Sequence, residues 1–512
     1  MQSAKSWIIS RGQNPCRLRK VLHAAVLLLL VMLAGCSSPQ LRTPLQTPLA
    51  SASAIAAGDT CGPVLALLAQ RIEAAGSADP LGYPIRPYPY LRVDRLLASF
   101  SAQLETDNQR QAWYQRLYRL GHRARQIELD NLSPPLAVAL REQIEPCIQR
   151  QAIADRQAAD FYQQLTASAQ VPDLYSDWQQ MLGAFPLTRL IVLHQIAQQQ
   201  QRWRQDFNSA RVLQGDSQHY RHPSNESLPA ERIAAWLEQA RSASPLGIPE
   251  LDGGRQAALF DHFAPAWQVF TRSAADQIGS LYWRDGRPGV DGGDPVAYLL
   301  PSYTRFNGQV LLQLNYLVWF PERPSQRPLD LYAGLLDGLL WRVTLGMDGR
   351  VLLYDSIHPC GCYHRIFPVA AQLKAKPAVA GVEQPLIIPG VAPAREQGRL
   401  LLQLTAADHY LQGIALAAKS PPAPAEGGIK NYRFSRYQQL RSLASGNGRR
   451  NLFDADGLVA ASARLERFLL WPMGVASAGA MRVWGAHAIS FANRRYFDEP
   501  YLFEQFFDWQ PD

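Results

Sequence analysis

The stretch Gln309 to Phe320 limits the fold of this chain more than any other. It is apolar except for Gln309, Gln313 and Asn315. An apolar run of that length without alternation reads as a strand buried on both faces, a position that exists only inside a sheet covered on both sides. The run therefore demands neighbours, and the chain supplies them. Leu339–Leu345 and Val351–Ser356 are strands joined across Gly346-Met347-Asp348-Gly349, a hairpin signal. Leu400–Leu404 is a further strand. Gln313 and Asn315 share one face of the apolar strand, and buried amides need partners. They mark either a structural hydrogen-bond network or the floor of a site.

The first half of the chain has a different period. Val64, Leu65, Leu68 and Ile72, then Leu96 to Leu104, then Trp113, Leu117 and Leu120 recur at helical spacing. Pro134-Pro135 opens another helix that Pro146 should kink or end. Helical patterns continue through 147–168, 186–207 and 229–241, and the C-terminal part returns to helix at Leu458–Trp471 and Ala476–Asn493. The expected fold is α+β. A helical domain, 59–243, precedes an α+β domain, 244–512, with a central, mainly antiparallel sheet and flanking helices.

The formal charge is +8, which suggests a nucleic-acid partner until it is divided along the chain. Lys5, Arg11, Arg17, Arg19 and Lys20 precede Cys36 with no acid among them, so the remainder carries only +3. No nucleic-acid footprint follows from that. The basic start leads into the apolar run Val21–Leu33, which is short for a bilayer span but suits a signal-peptide core. It ends Leu33-Ala34-Gly35-Cys36. That ending resembles the lipobox of bacterial lipoproteins, and the resemblance covers only the first 40 or so residues. It implies a signal peptide over 1–35, lipidation of Cys36, and a mature chain that meets the membrane through its acyl chains. Ser37 stands where an Asp would be the usual inner-membrane retention signal. The resemblance thus implies the periplasmic face of the outer membrane. Residues 36–58, rich in Ser, Pro, Thr and Ala, read as a flexible tether.

Export sets the redox frame. Cys16 leaves with the signal and Cys36 takes lipid, so Cys61, Cys147, Cys360 and Cys362 remain, an even number in an oxidising compartment. Disulfides are the default for these four, with Cys61 to Cys147 as a staple of the helical domain.

Chemistry concentrates in His358-Pro359-Cys360-Gly361-Cys362-Tyr363-His364, at the end of the hairpin. In a regular strand the four groups would spread over about 20 Å at ~3.3 Å per residue, but Pro359 and Gly361 argue for a curl. Three readings stand open. The first is a Cys360–Cys362 disulfide, allowed if the chain bends at Gly361. The second is a zinc or copper site that uses some of His358, Cys360, Cys362 and His364, with further ligands from His262, His409 or His487. The third is a cysteine nucleophile with a His base oriented by Asp355. The pair His219 and His222 lies in a polar loop; a His pair at that spacing can bind metal, but nothing acidic or thiolate lies beside it except Asp216 and Glu226, which argues against a metal site there. No HExxH, GxSxG, P-loop or GxGxxG motif is present in the sequence. The leading expectation is an envelope lipoprotein that binds a ligand or an envelope partner, or supports assembly. The alternative is a metal- or thiol-dependent periplasmic enzyme built on His358–His364, whose pocket Asn315, Asp355 or Glu322 would line.

Overall fold

The sheet that Gln309–Phe320 demands has seven strands. The computed structural model describes residues 61–223, 227–418, 428–446 and 448–511, with side chains from residue 64 onward. All of them belong to one compact unit, Leu49–Asp512. The signal peptide, Cys36 and the tether lie outside the described residues.

Two sheets are built from strands β1 (Ser217–Arg221), β2 (Ala266–Phe270), β3 (Val296–Phe306), β4 (Gln309–Arg323), β5 (Gly334–Leu345), β6 (Val351–Ile357), β7 (Arg365–Pro368), β8 (Leu386–Ile387), β9 (Leu400–Leu404), β10 (Leu411–Leu416), β11 (Ile429–Asn431) and β12 (Arg433–Arg436). The larger runs β8-β7-β6-β5-β4-β3-β12 and the smaller β10-β9-β2-β1-β11. β3 to β7 are antiparallel throughout, and the parallel pairs of the larger sheet are confined to its edges, β7 with β8 and β12 with β3.

β4 is buried from Val310 to Phe320 because both of its faces are covered. Its side chains alternate between two cores, as a strand requires. Leu312, Leu314, Tyr316, Val318 and Phe320 enter one, with Trp341 of β5 and Trp267, Leu402 and Leu404 of the smaller sheet. Leu311, Leu317 and Trp319 enter the other, with Leu340, Phe453, Met481 and Phe503. The molecule thus layers the smaller sheet, the larger sheet and a C-terminal segment. Gln313 and Asn315 sit in a hydrogen-bond network. Ser302 Oγ donates to Gln313 Oε1 (3.0 Å), and Gln313 Nε2 donates to Thr344 Oγ1 (3.1 Å). Asn315 Nδ2 donates to Leu300 O (2.7 Å) and Ser302 Oγ (2.9 Å).

Seven helices matter to the first half and to the cover of the sheets. They are α1 (Cys61–Ala75), α2 (Asp107–Asp130), α3 (Pro134–Gln157), α4 (Phe161–Ser168), α5 (Phe185–Asp206), α6 (Ala230–Ala243) and α7 (Gly253–Phe263). α2 starts at a capping box between Thr106 and Gln109, and buries Trp113 and Leu117 against Leu140 and Ile144 of α3. α3 runs through Pro146 to Gln157. The helical region meets the C-terminal segment through buried ion pairs. Arg441 pairs with Asp79, and Arg95 with Asp498 at 2.9 Å while its guanidinium lies 3.6 Å from the centre of the Tyr496 ring.

The C-terminal helices expected at Leu458–Trp471 and Ala476–Asn493 do not form; only Glu466–Leu469 is α-helical there. Gly474, Gly479 and Gly485 adopt positive φ, which ends a right-handed helix. The backbone bonds are spent across the chain instead. Val459 N–H donates to Met481 O, Arg482 N–H to Pro359 O and Val483 N–H to Gly457 O. No helix among the described residues is long and apolar enough to cross a membrane.

Candidate functional site

Strand β6 ends at Ile357, and the next seven residues make a tight loop before β7. His358 N–H donates to Cys362 O (3.0 Å) and Gly361 N–H to His358 O (2.8 Å). Gly361 has φ +90°, and a Cβ there would lie 2.4 Å from Ala488 O, so both the turn and the close approach need glycine. The curl that Pro359 and Gly361 imply is therefore present. It sends the four chemical groups in three directions, because β5 and β6 present Asp337 and Asp355 on opposite faces of the sheet.

On the face toward the smaller sheet, His358 Nδ1 lies 3.1 Å from Asp337 Oδ1. The other Asp337 oxygen, Oδ2, is 3.0 Å from His409 Nδ1, and His409 Nε2 is 3.2 Å from Asp276 Oδ1. Asp276 is held by the backbone N–H groups of Ala407 (2.6 Å), Arg272 (2.7 Å) and Ser273 (3.1 Å). The His409 ring stacks on Phe320, centroids 3.9 Å apart. The result is a buried chain, Asp276–His409–Asp337–His358. Burial opposes the His409 imidazolium, but the two carboxylates beside it outweigh burial and raise its pKa. Burial also opposes the Asp337 carboxylate, yet His358, His409 and Arg464 hold its pKa well below the usual range. Burial lowers His358, which is neutral with its Nδ1–H on Asp337; its Nε2 has no hydrogen-bond partner among the described residues.

On the opposite face, Arg342 clasps Asp355 with both Nε (2.8 Å, to Oδ1) and Nη2 (2.5 Å, to Oδ2), the two side chains 1% and 0% exposed. Arg342 Nη1 donates to Phe497 O (2.7 Å), and the guanidinium lies 3.5 Å from the centre of the Phe497 ring. His364 Nε2 is 3.1 Å from Asp355 Oδ2. Burial lowers its pKa too, so it is a neutral donor to Asp355.

The thiols take the third direction. Cys360 and Cys362 are buried and free, and their side chains hydrogen-bond to each other. That bond lowers the pKa of Cys360 and, with burial, raises that of Cys362 well above the usual thiol range. The Cys360–Cys362 disulfide that the spacing allows is not formed. Cys147 is disulfide-bonded, and the side chain of Cys61 lies outside the described residues.

The metal reading requires convergence, and the geometry gives divergence. Asp337 takes His358, Asp355 takes His364, and the thiols take each other. No group of three or more His, Cys, Asp or Glu among the described residues is placed to hold a metal ion. His262 accepts the Leu228 N–H on Nδ1 at 3.0 Å, on α7. His487 is a buried core histidine whose pKa falls to about 3, first through burial and then through Arg482 and Arg342. The Cys–His–Asp355 arrangement is likewise not assembled, since Asp355 is committed to Arg342 and His364. Asn315 belongs to the network under β4, and Glu322 is exposed. His222 stacks on Phe434, ring centroids 3.8 Å apart.

Around Tyr363 the fold gathers groups that composition gave no reason to connect. Tyr363, Tyr410 and Trp203 of α5 are half-buried and pack edge to face, Tyr363 to Tyr410 at 4.7 Å and Trp203 to Tyr363 at 5.4 Å between centroids. His358 lies against both tyrosines, at 4.9 and 5.5 Å. Arg323, from the end of β4, donates from Nη2 to Tyr410 OH (2.9 Å), and Arg365, from β7, donates from Nη1 to Leu411 O. Glu466 completes the surroundings. Burial raises its pKa to about 7 against the pull of Arg464 and Arg323. Such a gathering of perturbed groups is more common at sites than in plain cores. Of its members, the sequence marked His358 and, as an outside ligand, His409. Asp337 left one usable signal, a lone carboxylate within Leu335-Leu336-Asp337-Gly338-Leu339. Comparison with protein-family models, with curated proteins and with solved structures finds no match to this chain.

Proposed function

We propose that this protein is a lipid-anchored envelope protein, held on the periplasmic face of the outer membrane, that works by binding a ligand or an envelope partner. The observation that carries the binding part is the half-buried aromatic group Trp203, Tyr363 and Tyr410, backed by the buried side chains of Arg323, Arg365 and His358. Aromatic rings with arginine behind them are the composition of recognition sites, where apolar faces supply contact and a few polar groups fix orientation. The anchoring part rests on the lipobox-like Leu33-Ala34-Gly35-Cys36.

Thermal unfolding of the full-length protein in detergent, screened against small anions, cations, sugars and peptides, tests the binding reading. A saturable rise in Tm that Trp203→Ala removes and the double variant Cys360→Ser/Cys362→Ser retains is the expected result. No saturable rise with any class sinks it. Anchoring is tested by fractionation: wild type should sediment with the outer membrane and carry fatty acid on Cys36, and Cys36→Ser should be released.

A second reading, a thiol-dependent enzyme, draws on one observation. The Cys360 thiol has a lowered pKa through its bond to Cys362, with Arg464 also in its field. It predicts the reverse outcome, an activity or ligand response that the double serine variant abolishes with the fold intact.

A further inference from the structure

Among the described residues, three arginines hold a carboxylate through the same edge of the guanidinium, Nε and Nη2 together. They are Arg342 on Asp355 (2.8 and 2.5 Å), Arg241 on Glu238 (2.8 and 2.7 Å) and Arg433 on Asp294 (2.9 and 2.6 Å). That edge matches the two oxygens of a carboxylate or phosphate, and it is why arginine serves such groups better than lysine. Arg365 presents the same edge differently. Its Nη1 is satisfied by Leu411 O, but Nε and Nη2 have no partner among the described residues, and the residue is 2% exposed. Beside the same Tyr410 ring, Arg323 is 6% exposed and its Nε has no partner among the described residues. The two guanidinium carbons lie 5.6 and 5.0 Å from the centre of that one ring.

A buried guanidinium that lacks its bonds is unfavourable in a folded chain, and arginine cannot relieve it by losing its proton. The carboxylate whose charge acts on Arg365 is Asp408, and its Oδ1 accepts from Thr405 Oγ1. The strand neighbours Ile366 and Phe367 are fully buried, so an apolar residue would serve the sheet as well at this position. Arg125 and Arg305 also have Nε and Nη2 without a hydrogen-bond partner among the described residues, but among those residues each is the one arginine over its rings, Tyr118 for Arg125 and Phe100 and Tyr501 for Arg305. At Arg365 two under-bonded arginines share one ring, and the rings they face, Tyr410 for both, Trp203 for Arg365 and Tyr363 for Arg323, are each only half-buried.

We propose that Arg365 and Arg323 form an oxyanion site, and that the ligand of this protein carries a carboxylate or phosphate group that seats on the Nε/Nη2 edge of Arg365. This rests on the binding reading above and names the chemistry of its ligand. The test is titration of the full-length protein in detergent with sodium phosphate, and separately with sodium acetate, against sodium chloride at matched ionic strength. Saturable binding is followed by Tm and by tryptophan fluorescence. At least one oxyanion should bind, and which one distinguishes a phosphate ligand from a carboxylate. Arg365→Met should weaken it at least tenfold, and Arg365→Lys should also weaken it, because a point charge cannot replace the fork. Arg436→Gln, on the surface, should leave it unchanged. Because Arg365→Met removes an under-bonded buried charge, it should fold and match or exceed the Tm of wild type without ligand, which keeps the comparison readable. Equal oxyanion affinity in wild type and Arg365→Met overturns the site. A saturable response to uncharged or cationic compounds with none to either oxyanion overturns it too, and leaves the binding reading standing. No response to any class sinks both.

Discussion

Asp355→Asn is the most informative single change in the scaffold of the site. The wild-type carboxylate accepts from Arg342 Nε, Arg342 Nη2 and His364 Nε2 in a place where neither partner of the ion pair is more than 1% exposed. Asparagine keeps one accepting oxygen and turns the other into a donor, which must then face a guanidinium N–H or the His364 N–H. Arg342 keeps its charge, with Phe497 O and the Phe497 and Phe503 rings as neutral partners. Breaking a buried pair from one side costs about 3–5 kcal/mol, because the surviving charge is left uncompensated. Removing both charges is a different matter. Arg342→Met/Asp355→Leu should lie within about 1 kcal/mol of wild type or be more stable by a few kcal/mol, since each ion's desolvation cost disappears with it. Urea unfolding followed by tryptophan fluorescence reads both, provided the slope of the transition is unchanged. The pH dependence has a definite sign. Burial opposes the Asp355 carboxylate, but Arg342 and His364 outweigh it and lower its pKa. The stability it contributes is present above the unfolded carboxylate range, near pH ~4, and is lost as pH falls through the lower folded value. Asp355→Asn should remove that acid limb. A variant within about 1 kcal/mol of wild type would refute the reasoning, and so would a double variant as unstable as the single one.

Three further outcomes follow from the same geometry. His487 titrates at about 3 when folded because burial disfavours its charged form, so the unfolded chain binds the proton first. Stability should fall as pH drops below about 6.5, by up to ~1.4 kcal/mol per pH unit until about pH 3. His487→Phe should flatten the pH dependence of the urea midpoint between pH 6 and 4, and an unchanged slope would show that burial is not felt. Gly361→Ala should cost about 1–3 kcal/mol from its left-handed backbone alone, with a further penalty from the Ala488 carbonyl; thermal unfolding equal to wild type would mean that the loop is not built as described. Alkylation and mass analysis should find Cys360 and Cys362 unreactive in the native protein, at 6% and 8% exposed, and alkylatable in denaturant without reductant. Two cysteines blocked until reduction would show a disulfide in their place.

The α+β class, the buried central strand and the hairpin into the His/Cys loop were legible because each leaves a periodic trace. Gln309–Phe320 is apolar except at Gln309, Gln313 and Asn315, and helices α2, α3 and α5 repeat at helical spacing. The C-terminal segment misled for an identifiable reason. Leu458–Trp471 and Ala476–Asn493 have helix-compatible composition, but Gly474, Gly479 and Gly485 are used at positive φ, and the segment binds across the β6–β7 loop. A glycine's spacing in sequence does not say whether its freedom will be used. Two of the carbonyls that Arg482 bonds, those of Pro359 and Cys360, lie 122 and more residues away, beyond any local pattern.

The loop itself shows where a motif stops being informative. Two histidines and two cysteines within seven residues look like one site, and spacing alone supplied only the choice between a straight strand and a curl. What decides their chemistry is two carboxylates on neighbouring strands, Asp337 and Asp355, on opposite faces of the same sheet. Each captures one imidazole, and the thiols are left to each other. Around Tyr363 and Tyr410, the atoms with unmet bonding capacity among the described residues belong to neither thiol nor carboxylate; they include the Nε2 of His358, the Nε of Arg323 and the Nε and Nη2 of Arg365. Arginine in a strand ordinarily reads as a surface residue, and Tyr363-His364-Arg365 gives no hint that its arginine points inward at 2% exposure. Only the pairing of β7 with β6, and the carbonyl of Leu411 from the other sheet, put it there. The chemistry that stands out in the sequence therefore builds the scaffold, and the binding chemistry we propose falls to residues the sequence presents as ordinary.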